Sequence, residues 1–401
     1  MNIFERLYCR TYQTFFRAAF PILPYREPER LENIDKIPPL FKEIGVGSVL
    51  LVTDSTLCKT DAVTRLISHL ADHGVNCAIY DGVNPNPTVH NVEEAFKVYE
   101  EHEAKAIIAF GGGSPMDCAK AVGARAAYPQ KGINKMKGLL KVLKPIPPLI
   151  AIPTTAGTGS EATLTAVITD SDKRHKYTMN SFTLIPRYAV LDPTVTISMP
   201  KSLTATTGMD ALTHAVEAYI GKSTTKETRR LALDAVKLIF ENIEAAYHDG
   251  GNIIARRNML MAAYKAGVAF SRSYVGYVHA VAHSLGGQYN IPHGFANAVL
   301  LPIVLEEYGS AVYKKLHRLS IAARVSLDTN SDEAGAKKFI EAIRALNRRM
   351  GIPEKISGIN KADIEKMSRY AAAEANPLYP VPKLWNAREL ERIYLKAADK
   401  E

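Results

Sequence analysis

The sequence predicts an α/β domain built on a parallel, Rossmann-like sheet, followed by an all-α domain. Three observations carry that expectation. Short apolar runs alternate with helical stretches between residues 46 and 152. Glycine- and hydroxyl-rich segments follow two of those runs directly, and after about Asp192 the strand signal stops. The expected boundary is therefore 191/192, with residues 1–191 forming the α/β domain and 192–401 the helical one. At ~150 residues per domain, a chain of 401 residues has room for two or three domains with sizeable cores.

Composition excludes several classes. With 47% hydrophobic and 23% charged residues the chain reads as an ordinary soluble globular protein. No apolar run reaches the roughly 20 residues needed to cross a bilayer. The apolar N-terminal stretch is broken by Glu5, Arg6, Arg10 and Arg17, so neither a membrane span nor a signal peptide is expected. Cys9, Cys58, Cys77 and Cys118 form no CxxC pair, which points away from disulfides and thiolate metal sites and toward a reducing, cytoplasmic home. The formal charge of +9 is scattered, apart from small clusters such as Lys173-Arg174-His175-Lys176. It reads as solvated surface that attracts an anionic cofactor, with no nucleic-acid partner.

Along the chain, residues 1–45 read as a helical arm and a connector in which Pro21, Pro24, Pro28, Pro38 and Pro39 limit regular structure. Strands follow at 46–54, 76–80, 106–110 and 149–152, separated by helices ending near residue 73 and around 92–102. Helices are expected at 202–220, 224–247, 252–270, 274–286, 294–307 and 332–349, and no internal repeat is evident.

Gly111, Gly112, Gly113 and Ser114 stand between the third strand and a helix carrying Asp117. Residues without a Cβ there let backbone approach a ligand, and the free N–H groups of the helix favour a phosphate. A tight turn capped by Ser114 or Asp117 would use the same residues. A second segment, Pro153 to Glu161, sets Thr154, Thr155, Thr158 and Ser160 and two glycines at the end of the next strand. Two such loops at the carboxyl ends of parallel strands favour a pyrophosphate cradle, although no GxGxxG follows the first strand. Asp54 closes that first strand, as a ribose acceptor that repels a 2′-phosphate or as a helix cap.

Asp210 and His214, four apart on a helix, share one face and can converge on one ion. His279, His283 and His293 lie among small and apolar neighbours, where an unpaired imidazole is costly to bury. Carboxylate and imidazole without thiolate suit Fe²⁺, Zn²⁺ or a similar divalent cation. Spacing leaves open whether His279 or His283 is the ligand, because both occupy one helical face.

The segments GGGSPMDCAK, IPTTAGTGSEAT, GMDALTHAVEAY and GYVHAVAHSLGGQYNIPHGFANAVLLP, in that order, resemble the iron-containing (group III) alcohol dehydrogenases. The likeness runs from about residue 30 through NPLYPVPKLW. Glycerol dehydrogenase and dehydroquinate synthase share the wider fold and match less well. The resemblance implies reversible hydride transfer between a small alcohol or aldehyde and NAD(H). It implies an ion, Fe²⁺ first and Zn²⁺ second, on Asp210, His214, His279 and His293. His283 is then left beside the nicotinamide, for proton relay or cofactor orientation. It further implies Gly111 to Ser114, Asp117, Thr154, Thr155, Thr158, Ser160 and Lys176 around the cofactor. Asp54 would favour NAD over NADP, and the chain would be a homodimer or larger oligomer. A polyol or phosphorylated polyol is the alternative substrate, and a non-catalytic scaffold the alternative of another class. The segment Ser271-Arg272-Ser273-Tyr274 is bulkier and more charged than such enzymes lead one to expect, which bears on substrate more than on reaction type.

Overall fold

In the computed structural model the described residues are 1–19, 24–171, 175–326 and 331–399. Pro21, Lys173 and Arg174, named above, lie outside them. The first helix, α1 (Ile3–Ala19), starts on a reciprocal pair in which Glu5 N donates to Asn2 Oδ1 at 2.8 Å and Asn2 N to Glu5 Oε2 at 3.0 Å. From its buried side Arg10 donates to the carbonyls of Val381 and Pro382, and Gln13 to those of Pro377 and Tyr379. These bonds group the arm with the C-terminal helices, whereas chain order had grouped it with the sheet. Two compact units result: Pro24–Met199, and Met1–Leu23 with Pro200–Glu401. Residues up to Met199 stay with the sheet in part because Asp192 accepts from Ile34 N and Thr194 N.

The sheet unit begins with β1 (Glu29–Leu31) and α2 (Ile37–Glu43). Both fall in the stretch expected to lack regular structure. Pro38 and Pro39 are accommodated in the first turn of α2, where no intrahelical N–H partner is required. Then come β2 (Ser48–Val52), α3 (Asp61–Asp72), β3 (Asn76–Tyr80), α4 (Val89–Glu101), β4 (Ala106–Gly111), α5 (Gly113–Ala127), β5 (Gly138–Leu139) and β6 (Leu149–Pro153). The unit closes with β7 (Thr165–Asp170), β8 (His175–Asn180) and β9 (Tyr188–Val190). Six strands make one parallel sheet in the order β1-β9-β6-β4-β2-β3. Its central strands are buried on both faces, which is why they read as unbroken apolar runs. Leu50, Val52, Ile107 and Ala109 pack on one side with Val92 and Val122, while Val49, Leu51, Ile108 and Ile150 pack on the other with Phe41 and Leu66.

The chain steps outward from β2 to β3 and then crosses to β4 on the other side of β2. Strand order therefore reverses between β2 and β4, and the carboxyl ends at such a reversal are where open sheets bind ligands. A smaller sheet, β5-β8-β7, was not expected from the sequence. Its β7/β8 hairpin pairs Thr165 with Asn180 through Asp170 with His175.

The helical unit continues with α6 (Lys201–Ile220), α7 (Lys226–His248), α8 (Ile253–Ser271), α9 (Tyr277–Tyr289) and α10 (His293–Tyr308), then α11 (Tyr313–Ala322), α12 (Asp332–Arg349), α13 (Lys361–Ala375) and α14 (Ala387–Ala397). α6 is buried from Ala205 to Ile220 except at Thr206 and packs on α7, α8 and α10. Such a helix is apolar all round apart from groups with a polar task. The 376–385 segment is pinned to α9, where Tyr277 stacks on Trp385 at 5.0 Å and its hydroxyl donates to Asn376 Oδ1.

Candidate active site

α6 carries Asp210, His214 and Glu217 at i, i+4 and i+7, hence on one face. His279 comes from the first turn of α9, and His293 opens α10. Gly294 lacks a Cβ where one would fall 2.6 Å from the Thr206 carbonyl oxygen, so α10 can begin directly against α6. One oxygen or nitrogen from each of Asp210, His214, His279 and His293 lies within 4.8 Å of the others. The first three residues are buried and His293 is half-buried.

The spread is wider than the about 3.4 Å separating ligands around a tetrahedral ion at ~2.1 Å. At this apparent centre stands the Asn297 amide. Its Nδ2 donates to Asp210 Oδ1 at 2.7 Å and lies 3.1 Å from His293 Nε2 and 3.4 Å from His279 Nε2. A donor NH₂ among three acceptor atoms marks a place that attracts positive charge. Burial, reinforced by His214, His293 and His283, holds the His279 imidazole well below its ordinary pKa. A neutral ring keeps its lone pair, as a metal ligand must. The donor set therefore fits a divalent cation.

Glu217, which the sequence reading passed over, is the buried partner of His279. Its Oε2 accepts from His279 Nδ1 at 2.6 Å and Gly276 N at 2.8 Å, and its Oε1 from Val278 N at 2.8 Å. Burial pushes this carboxyl up to about 7, while the N–H groups at the start of α9 draw it back. His214 is sandwiched between Phe270 at 4.3 Å and His279 at 4.5 Å.

His283 lies one turn beyond His279 and outside the group of four. It stacks on His293 at 5.1 Å, and its Nδ1 is 2.7 Å from Glu374 Oε1. Tyr379 donates to the same oxygen at 2.7 Å. Burial would raise the Glu374 carboxyl, but His283 and Tyr379 carry it below its ordinary value.

In the sheet unit, β4 ends at Gly111 and β6 at Pro153, joined by Thr154 N donating to the Gly111 carbonyl at 3.0 Å. A Cβ on Gly113 would stand 3.1 Å from Thr158 Cγ2, so the glycines serve the approach of the two loops to each other. Neither Ser114 nor Asp117 caps α5, correcting that expectation. The N-cap is Gly112, without a side-chain bond, which leaves the first N–H groups of a 15-residue helix for an anion. Ser114 Oγ accepts from Asn86 N at 3.3 Å, and Lys176 Nζ donates to Asn86 Oδ1 at 2.9 Å, bringing Ser114 and Lys176 to one loop. Asp117 and Ser160 are bonded to each other at 3.0 Å, and Asp117 also accepts from Val167 N. Beneath them Lys120 gives Nζ to Ser160 O and Oγ, Thr163 Oγ1 and Thr165 O, all within 2.9 Å. Asp54 Oδ1 accepts from Thr56 N and Leu57 N, both at 2.9 Å, which is the local capping arrangement.

The profile of the iron-containing alcohol dehydrogenase family matches residues 30–193, and that of the family's C-terminal region matches residues 204–398. The chain belongs to the iron-containing alcohol dehydrogenase family. It is 38% identical over 358 residues to the 1,3-propanediol dehydrogenase of Klebsiella pneumoniae, covering 88% of this chain and 92% of that one. It is 35% identical to the NAD-dependent methanol dehydrogenase of Bacillus methanolicus, covering 86% and 92%. The solved structure of an alcohol dehydrogenase from Oenococcus oeni superposes with a TM-score of 0.89 at 36% identity, over 93% of this chain and 100% of that one.

Membership makes this chain an oxidoreductase acting on an alcohol carbon. For an iron-containing alcohol dehydrogenase the segment 271–274 looked unusually bulky. Its charge is engaged locally, since Arg272 pairs with Glu227 at 2.7 Å, and the buried Ser273 donates to Ala269 O. Glu217, Glu374, Asn297 and Lys120 carried no signal of their own in the sequence, because each acts through a partner from another element. Only Glu217 and Lys120 could have been suspected, as charged residues inside the family motifs.

Proposed function

We propose that this chain transfers hydride reversibly between a small alcohol and NAD(H), with one divalent cation, Fe²⁺ before Zn²⁺, held by Asp210, His214, His279 and His293. The convergence of Asp210, His279 and His293 on the Asn297 amide, with His214 in the same group of four, carries the reading. A cation there supplies Lewis acidity, of the kind that lowers the pKa of water from about 16 to about 7. The nicotinamide supplies the hydride acceptor.

The protein's own groups orient and move protons. On this reading His283, with Nδ1 on Glu374, takes the alcohol proton or orients the cofactor. The uncapped start of α5, with Gly111, Gly112, Gly113 and Ser114, suits the cofactor pyrophosphate, and Thr154, Thr155 and Thr158 flank it. Lys176 adds positive charge beside Asn86, and Asp117 and Ser160 brace the loop from behind. Asp54 at the end of β2 would accept from the adenosine ribose and repel a 2′-phosphate. On this reading the unit Pro24–Met199 chiefly binds cofactor and the helices of Pro200–Glu401 bind the ion. The four cysteines, all free, agree with a reducing, cytoplasmic setting, a homo-oligomer is expected from the family resemblance alone, and no described helix is long and apolar enough to cross a membrane. A small diol is the second reading, favoured by the 1,3-propanediol dehydrogenase relative.

Metal analysis of anaerobically purified protein, with NADH oxidation followed against an aldehyde panel, tests the proposal. About one divalent ion per chain and metal-dependent turnover are expected. Protein that holds no ion and stays inactive after loading with Fe²⁺ or Zn²⁺ would overturn it.

A further inference from the structure

We infer that Glu217 is a positioning residue that sets the tautomer of His279 and fixes its ring without occupying a coordination position. The inference rests on the proposed ion site.

A neutral imidazole carries one N–H and one lone pair, and a ligand must turn the lone pair to the ion. Glu217 Oε2 lies 2.6 Å from His279 Nδ1, and both Glu217 oxygens already accept backbone N–H groups, so the contact keeps the hydrogen on Nδ1 and leaves Nε2 as the acceptor. That Nε2 faces the Asn297 amide together with Asp210 and His293. The carboxylate itself is buried and held by two backbone donors, Gly276 N and Val278 N. Gly276 is required for this approach, since a Cβ there would meet Glu217 Oε1 at 2.6 Å. The ring of His279 therefore has little freedom to turn.

An amide at position 217 cannot serve all three donors. With its oxygen toward Val278 its NH₂ faces His279 and selects the wrong tautomer, and with its oxygen toward His279 its NH₂ opposes the Val278 N–H.

The test compares Zn²⁺ affinity, by chelator competition on metal-stripped full chain, for the parent protein and Glu217→Gln. A loss of roughly 10–100-fold is expected, as for other carboxylates behind metal-bound histidines, in variant protein that remains folded by circular dichroism. Equal Zn²⁺ affinity in a folded Glu217→Gln protein would overturn the inference and leave the ion site standing. A parent protein that binds neither Zn²⁺ nor Fe²⁺ would overturn both. Nitrogen-15 NMR of metal-free parent protein, assigned by the resonance missing in His279→Gln, gives a readout independent of the Glu217 variant. It should show His279 protonated at Nδ1, and protonation at Nε2 instead would sink the idea. Gly276→Ala, which crowds the carboxylate while leaving every ligand in place, should weaken Zn²⁺ in the same direction by a smaller factor.

Discussion

In the sheet unit, a lysine carries its own charge into a cluster of oxygens. In the helical unit, a carboxylate and three imidazoles gather around a neutral amide. Lys120 is fully buried and satisfied by Ser160, Thr163 and Thr165, with Asp117 and Glu161 close enough to feel its charge. Burial pulls the ammonium down to about 8, against Asp117 and Glu161, which raise it. Four acceptors aimed at one Nζ favour its charged form. Around Asp210 the donor at the centre is the neutral Asn297 amide. A closed cluster with its own cation braces a loop, whereas an open one of similar depth fits the cation we propose for it.

The largest effect should come from emptying the open cluster. His279→Ala and His293→Ala should each lose bound metal and fall by about 10³-fold or more in turnover, since the ion is asked for several kcal/mol of charge stabilisation. His283→Ala should retain metal while its rate falls by 10²–10⁴-fold, the usual scale for a positioned proton-transfer group. Metal retained in His279→Ala but lost in His283→Ala, measured by elemental analysis, would reverse the assignment.

Removing the internal cation should act on stability instead. Lys120→Met leaves buried carboxyls and oxygen acceptors uncompensated, and urea unfolding should show a loss of about 3–5 kcal/mol, as for one partner removed from a buried pair. A loss under about 1 kcal/mol would mean that the Lys120 cluster is not the brace described.

A smaller effect concerns pH. Burial pushes the Glu161 carboxyl up from 4.5 to about 7. A carboxyl raised on folding holds its proton in the folded state where the unfolded chain has released it. Its stabilising contribution is therefore complete below about pH 4.5 and is lost as pH rises to about 7. Asp117, raised to about 6 by burial against Lys120, tilts the same way and is present in both proteins compared. Glu161→Gln should flatten the fall in stability between pH 5 and pH 8. Parallel urea-midpoint curves for the two proteins would remove Glu161 from the account.

Asp54→Gly should have the smallest effect. The ratio of NADPH to NADH use should rise on the order of tenfold, equivalent to about 1.4 kcal/mol. The two N–H groups now bonded to Asp54 Oδ1 would lose their cap at ~1 kcal/mol. A stability loss with an unchanged cofactor ratio would leave Asp54 only as a cap.

The same contrast explains what could be read from the chain. β2, β4 and β6 were legible because strands buried on both faces are apolar without interruption. β7 and β8 were not, since TAVITD and HKYTMN mix threonines and charges with the apolar residues. β1 and β9, three residues each, exist only through their pairing. Asp210 and His214 were legible from helical spacing alone. His279 and His283 share one helical face, and what separates them, Glu217 behind one ring and Glu374 behind the other, lies far away in sequence.

The bonds from Arg10 to Val381 and Pro382 join residues 371 and 372 positions apart. At roughly 5–20 residues per second of synthesis, roughly 20–70 s separate the making of Arg10 from that of Val381. Throughout that interval the residues of α1 lack the carbonyls they will bind. Its docking is therefore a late event timed by the ribosome. A fusion partner or tag ahead of α1 must leave the helix free to travel when the 376–385 segment emerges, and a heterologous host that translates faster shortens the wait without changing any contact.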